Sequence, residues 1–210
     1  MGRPNYGACD RRGRGSEQLR QPIGCPGPVN PSFEERHVHL LFVCTGNICR
    51  SPTGERVAAA LNAHDPITGF RASSAGTRAV IAHPVHPEAA RVLTDLGGDP
   101  ADFAARQLTA KIAADADLVL AMTREHRDAV LELAPRQLRR TFTLTEAAEL
   151  ITQFDPAEFA ELASLRPRLR ADQSPDVPDP IGQDPEVFDQ VGARIAELVA
   201  PIVEFCRRMA

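Results

Sequence analysis

The sequence predicts an α/β fold, a parallel sheet covered by helices, and three observations carry that prediction. Four short runs, at residues 37–43, 69–74, 117–122 and 140–144, read as strands, and the first and third are largely apolar and β-branched. Segments with helical spacing lie between and after them, at 52–63, 88–96, 124–133 and 185–209. Alternating strands and helices imply crossover connections, which make the strands parallel and put helices on the sheet faces. Finally, 210 residues with 43% hydrophobic and 25% charged content suit one domain with a real core and are too few for two.

Residues 1–36 stand apart: eleven Gly or Pro, six Arg and nine apolar residues without periodicity. Such a segment buries too little surface to offset its ordering entropy, so a disordered Arg/Gly/Pro-rich arm is expected. From His37 the character changes. His37-Val38-His39-Leu40-Leu41-Phe42-Val43 forms the first strand, ending at Cys44. A polar loop leads to Pro52, whose missing N–H suits a first helical turn. Val57, Ala60, Leu61 and His64 mark one face of that helix, and Gly54 costs it about 1 kcal/mol relative to alanine. The second strand follows, then a helix stopped by Gly97-Gly98, the third strand, another helix and the short fourth strand. Residues 145–178, acidic and then arginine-rich, read as an insertion within a 37–210 domain, with one or two exposed helices and a Pro-containing loop. The last helix buries Phe188, Val191, Ile195, Leu198, Val199, Ile202 and Phe205.

Composition excludes several classes. The longest apolar stretches, 40–43 and 118–122, fall far short of the roughly 20 residues a bilayer needs. A net charge of −4 argues against a nucleic-acid partner, although 23 of 24 basic residues are arginine and only Lys111 is lysine. Cys9, Cys25, Cys44, Cys49 and Cys206 form an odd, scattered set without a readable secretory leader, so a reducing cytoplasm is expected. His83-Pro84-Val85-His86-Pro87 lacks a third ligand, and neither metal nor cofactor is expected.

The chemistry concentrates in the loop from Cys44 to Pro52. A loop between a parallel strand and a helix N-terminus sits where α/β folds bind ligands, and successive backbone N–H groups there form an anion nest. The Cys-x5-Arg spacing lets the amides of Thr45, Gly46, Asn47, Ile48, Cys49 and Arg50 converge on a tetrahedral oxyanion while the Arg50 guanidinium closes over it with two parallel donors. Gly46 permits tight curvature. Amide dipoles and a fixed cation around Cys44 favour its thiolate, the nucleophilic form. Ser51 is placed to donate to that sulfur and Asn47 to brace the loop.

The run Val43-Cys44-Thr45-Gly46-Asn47-Ile48-Cys49-Arg50-Ser51-Pro52 resembles the phosphate-binding loop of the low-molecular-weight protein tyrosine phosphatase family. Ser73-Ser74-Ala75-Gly76-Thr77, Ala105-Arg106-Gln107-Leu108 and Asp179-Pro180-Ile181-Gly182 follow in family order, so the resemblance covers about residues 38 to 205. It implies a three-layer, flavodoxin-like fold with a four-stranded parallel sheet. It further implies that Cys44 attacks phosphorus, that Arg50 and the loop amides hold the phosphoryl oxygens, and that Asp179 is the general acid and later the base. Asp176 and Asp184 are near Asp179, and Asp184, just before Pro185, reads better as a helix cap. Cys49 is either a small buried filler or, as the resemblance suggests, a partner that shields Cys44 from oxidation. The implied substrate is a phosphotyrosine protein or small aryl phosphate, handled by a monomer or weak dimer.

The sequence departs from the family where relatives carry aromatic pocket walls: here stand Arg78-Ala79-Val80 and Pro180-Ile181-Gly182. Stacking surface is thereby lost. Ile48 favours an aryl phosphate, whereas the phosphoarginine-specific branch typically carries threonine there. Arsenate reductases of the same fold usually have serine at that position and use further cysteines. A weakly active phosphoprotein-binding module is the remaining alternative, motivated by Gly54 and the missing aromatics.

Overall fold

The computed structural model describes residues 37–170 and 174–209, and the arm assigned to 1–36 lies outside the described residues. Strand β1 (Val38–Cys44) is flanked by β2 (Phe70–Gly76) on one side and by β3 (Leu118–Ala121), then β4 (Thr141–Thr143), on the other. All pairings are parallel, giving the order β2-β1-β3-β4. Both faces of such a sheet are covered, so every residue of β1 is buried and its sequence lacks a polar alternation.

The period of two reappears in where the side chains go. Leu40, Phe42, Leu118, Leu120 and Phe142 share one core with residues of α1 (Arg50–His64), α5 (Leu144–Phe154) and α7 (Pro185–Met209). Leu41, Val43 and Val119 point the other way, onto Ala113 of α3 (Ala110–Ala114) and Val130 of α4 (Arg124–Leu133). The expected three-layer architecture results. Because β2 and β3 lie on opposite sides of β1, the strand order reverses at the C-terminal end of β1, where open α/β sheets form their ligand crevice. Cys44 ends β1 there, in register with Gly76 at the end of β2.

Three details differ from the sequence reading. Helix α1 starts at Arg50 rather than Pro52, which moves the guanidinium into the first turn. The short α3, capped by the Thr109 side chain on the Ile112 amide, was too brief to show a period. The exposed helices expected after residue 145 are corrected for α5, which is a core element. A capping box between Thr143 and Glu146 starts it directly from β4, and Leu144, Ala147, Leu150 and Ile151 are buried. The arginine-rich stretch is anchored too: Arg166 donates to Glu146 at 2.6 Å and to the Thr141 carbonyl at 2.7 Å, and lies over the Phe142 ring. Helices α2 (Pro87–Asp95) and α6 (Phe159–Leu165) complete the set.

Gly54 has a packing reason that α1 alone does not reveal. A Cβ there would lie 2.6 Å from Cδ1 of Phe42, a fully buried side chain of β1. Hydrogen in place of methyl lets the helix approach the sheet. Among the described residues, no helix is long and apolar enough to cross a membrane.

Candidate active site

The loop after β1 is held from outside by its carbonyls. The oxygens of Cys44, Thr45, Gly46 and Ile48 accept from the amides of Thr77, Arg78, Val80 and His86, at 2.7–3.0 Å. The amides of Thr45 to Cys49 donate to no backbone carbonyl among the described residues, which leaves them for an anion. The turn at 77–80 is itself pinned by Gln107, whose Oε1 accepts from the Ala79 amide and whose Nε2 donates to the Thr77 carbonyl. Gly76 is the point of closest approach: a Cβ there would sit 2.4 Å from the Thr45 carbonyl oxygen.

Asn47 turns the loop. Its φ of 56° is left-handed, a conformation asparagine tolerates better than most residues. Its buried side chain uses every polar atom it has: Nδ2 donates to Ser51 at 2.9 Å and to Ser74 at 2.8 Å, while Oδ1 accepts from the Arg106 amide at 2.8 Å. Ser74 then donates to Glu55. With its oxygen accepting from Asn47, Ser51 has its proton free for Cys44, and Ser51 Oγ lies 2.9 Å from Cys44 Sγ. Ser51 and Asn47 thus meet the sulfur as one hydrogen-bonded chain, which spacing alone could only suggest.

Arg50 joins the loop to a segment more than 120 residues away. Arg50 is 4% exposed; one Nη donates to the Val177 carbonyl at 3.1 Å and the other pairs with Asp179 at 2.5 Å. Asp179, with a half-exposed side chain, also accepts from the Ile181 amide at 3.2 Å. The other two aspartates have different work. Asp176 accepts from the Arg124 amide at the start of α4. Asp184 immediately precedes α7, and its carbonyl accepts from the Val187 amide.

Cys44, Thr45, Ile48, Arg50 and Asp179 line one cleft of about 240 Å³, with Val80, Ile181 and Arg78 around it. Its walls are aliphatic where an aromatic ring was missing from the sequence. Cys49 lies within the loop with its side chain buried, and burial pushes its thiol up to about 12. His83 and His86 are structural in placement: the His86 ring stacks on Phe188 at 5.2 Å, and the His83 carbonyl accepts from Ala105.

Sequence reasoning missed His126. This buried residue of α4 places Nε2 2.8 Å from Thr45 Oγ1, and desolvation followed by the Arg50 charge pushes its pKa down to about 4. The Thr123 cap three residues earlier was readable, but the partner lies 81 positions away.

A nest of free amides between a thiol and a guanidinium, at the switch point of a parallel sheet, defines a class of α/β protein built to hold a tetrahedral oxyanion. Residues 39–158 match the low molecular weight phosphotyrosine protein phosphatase family, and the chain belongs to that family. It is 40% identical over 102 residues to the low molecular weight protein-tyrosine-phosphatase Etp of Escherichia coli, a match covering 49% of this chain and 66% of that one, just under two thirds of its length. It is 32% identical over 119 residues to the probable low molecular weight protein-tyrosine-phosphatase EpsP of Ralstonia nicotianae, covering 57% and 76% respectively. The crystal structure of a low molecular weight protein tyrosine phosphatase from T. tengcongensis superposes with a TM-score of 0.65 at 30% identity, covering 80% of this chain and 98% of that one.

Proposed function

We propose that this protein hydrolyses phosphomonoesters, with phosphotyrosine in proteins as the substrate class, through a cysteinyl-phosphate intermediate. The observation that carries the reading is the convergence of Cys44, Arg50 and Asp179 on one cleft, with the Ser51 hydroxyl directed at Sγ. In the first step the Cys44 thiolate attacks phosphorus as the ester P–O bond breaks, and Asp179 gives its proton to the departing oxygen. In the second, water attacks phosphorus, its proton passes to Asp179, the S–P bond breaks and orthophosphate leaves. Arg50 and the amides from Thr45 to Arg50 bind the phosphoryl oxygens throughout. Substrate entry exchanges the Asp179 carboxylate for a phosphoryl oxygen at one guanidinium nitrogen, and the released carboxylate takes a proton from solvent before it acts as the acid on the leaving group.

Ile48, Val80 and Ile181 supply dispersion contact to an aryl ring without stacking on it. In the same reading residues 37–210 form the phosphatase domain. It acts as a monomer or weak dimer in a reducing cytoplasm, which suits free thiols at Cys44, Cys49 and Cys206. The test is a metal-free assay of the purified chain on an aryl phosphate, phosphotyrosine and phosphoarginine peptides, and arsenate with a thiol reductant. Aryl phosphate turnover that disappears in Cys44→Ser is expected. Turnover surviving that change, or preference for phosphoarginine or arsenate, overturns the assignment.

A further inference from the structure

The loop is touched from behind by a side chain that the mechanism above does not use. His126, in the first turn of α4, is 5% exposed and bridges two hydroxyls: Nε2 to Thr45 Oγ1 and Nδ1 to Thr123 Oγ1, both at 2.8 Å. Thr123 Oγ1 also accepts the His126 backbone N–H, as the cap of α4. Burial and the nearby Arg50 charge keep the ring neutral at physiological pH, so one nitrogen donates and the other accepts.

Two arrangements satisfy the chain. In one, Thr123 donates to Nδ1, the Nε2–H donates to Thr45, and the Thr45 proton is left for the cleft. In the other, Thr45 gives its proton to Nε2, and Nδ1–H becomes a second donor onto Thr123. The first is preferred on two grounds. Thr123 then uses one lone pair and its proton, and the one hydroxyl proton left without an acceptor among the described residues is that of Thr45, which lines the cleft, rather than that of Thr123. The Nε2–H also turns the positive end of the ring dipole toward the anion nest, where negative charge accumulates when the cleft is filled.

We propose that the Thr45 side-chain hydroxyl, its oxygen held by the Nε2–H of His126, donates a hydrogen bond to a phosphoryl oxygen of the substrate, and that His126 is a positioning residue acting through it. This adds a side-chain donor to the amides and guanidinium, and it rests on the phosphatase reading of the cleft. Thr45 lines that cleft and is half-buried, so its rotor has one side against His126 and one toward the ligand.

The experiment measures aryl phosphate hydrolysis and competitive inhibition by inorganic phosphate in Thr45→Val, Thr45→Ser, His126→Phe and the Thr45→Val/His126→Phe double variant. Loss of a hydrogen bond to a charged oxygen predicts that Thr45→Val lowers kcat/KM roughly 10- to 100-fold and weakens phosphate inhibition, while Thr45→Ser stays within about threefold. His126→Phe should match Thr45→Val, and the double variant should be no worse than either single one. Nitrogen NMR of the wild type at neutral pH should report the Nε2–H tautomer. A Thr45→Val protein indistinguishable from wild type, losses that multiply in the double variant, or an Nδ1–H tautomer each overturn the proposal. If His126→Phe does not fold, the Thr45 pair and the tautomer still decide. Activity surviving Cys44→Ser removes the underlying reading; an inactive Cys44→Ser beside a fully active Thr45→Val removes this inference alone.

Discussion

Adding a single methyl group at Gly76 tests whether the packing of β2 against the loop sets the anion nest. In Gly76→Ala the new carbon would lie 2.4 Å from the Thr45 carbonyl oxygen and 3.0 Å from both the amide nitrogen and Cβ of Asn47. Ordinary contact begins near 3.4 Å, so the Thr45 carbonyl must retreat by about 1 Å and carry its neighbours with it. Two of these three atoms are backbone of the loop, and no side chain can swing away to relieve the clash. Misplacing reacting groups by about 1 Å costs on the order of 10²-fold in rate, and overpacking a tight site costs about 1–3 kcal/mol of stability. The expected variant is therefore folded, with a lowered urea midpoint, a kcat/KM for aryl phosphate down roughly 100-fold and weakened inhibition by orthophosphate. A folded Gly76→Ala whose kcat/KM and phosphate inhibition stay within about threefold of wild type would refute the reasoning, because the amides would then be positioned independently of this contact.

Asp179→Asn should slow esters of poor leaving groups more than those of good ones, since only the former need the proton; equal losses across a leaving-group series would remove Asp179 as the acid. Gly54→Ala gains about 1 kcal/mol of helix propensity but drives a carbon against Phe42, an overpacking cost of about 1–3 kcal/mol, so urea unfolding should find it destabilised rather than improved. His126, neutral when folded with a pKa of about 4, takes up a proton on unfolding below its ordinary value near 6.5. Stability should be level in this contribution above about pH 6.5 and fall by about 2–3 kcal/mol toward pH 4.5, among the charges of Arg50, Glu125, Asp179 and Asp176. His126→Gln should flatten that slope, and an unchanged slope would contradict the assignment. With its thiol pushed up to about 12, Cys49 holds only about one part in 10⁵ as thiolate at neutral pH, so peptide mapping after brief iodoacetate treatment of the folded protein should find it unmodified.

Local signals in the chain determined a good deal. The buried run before Cys44, the proline in the first turn of α1 and the residues from Cys44 to Ser51 specify a strand, a nest and a helix within fifteen positions, because hydrophobic period and turn chemistry act over that range. The rest is a matter of which distant atoms meet. That Asp179 rather than Asp176 or Asp184 pairs with Arg50 follows from the path of the segment before α7; the family order and the proline after Asp184 favoured Asp179 beforehand, but nothing local in the chain placed it beside Arg50. Gly54 looked like a weak point in a helix until Phe42 was seen to occupy the space of its missing side chain. The residues after 145 read as an insertion with exposed helices, yet a capping box turned α5 onto the core and gave Arg166 a ring and a carboxylate to rest on. His126 and Gly76 contact the loop across the sheet's C-terminal edge, 81 and 31 positions from Thr45. Periodicity reports which face of an element is buried, but the partner on that face is chosen by the crossing of strands and helices, and so only the folded chain decides which side chains meet the sulfur.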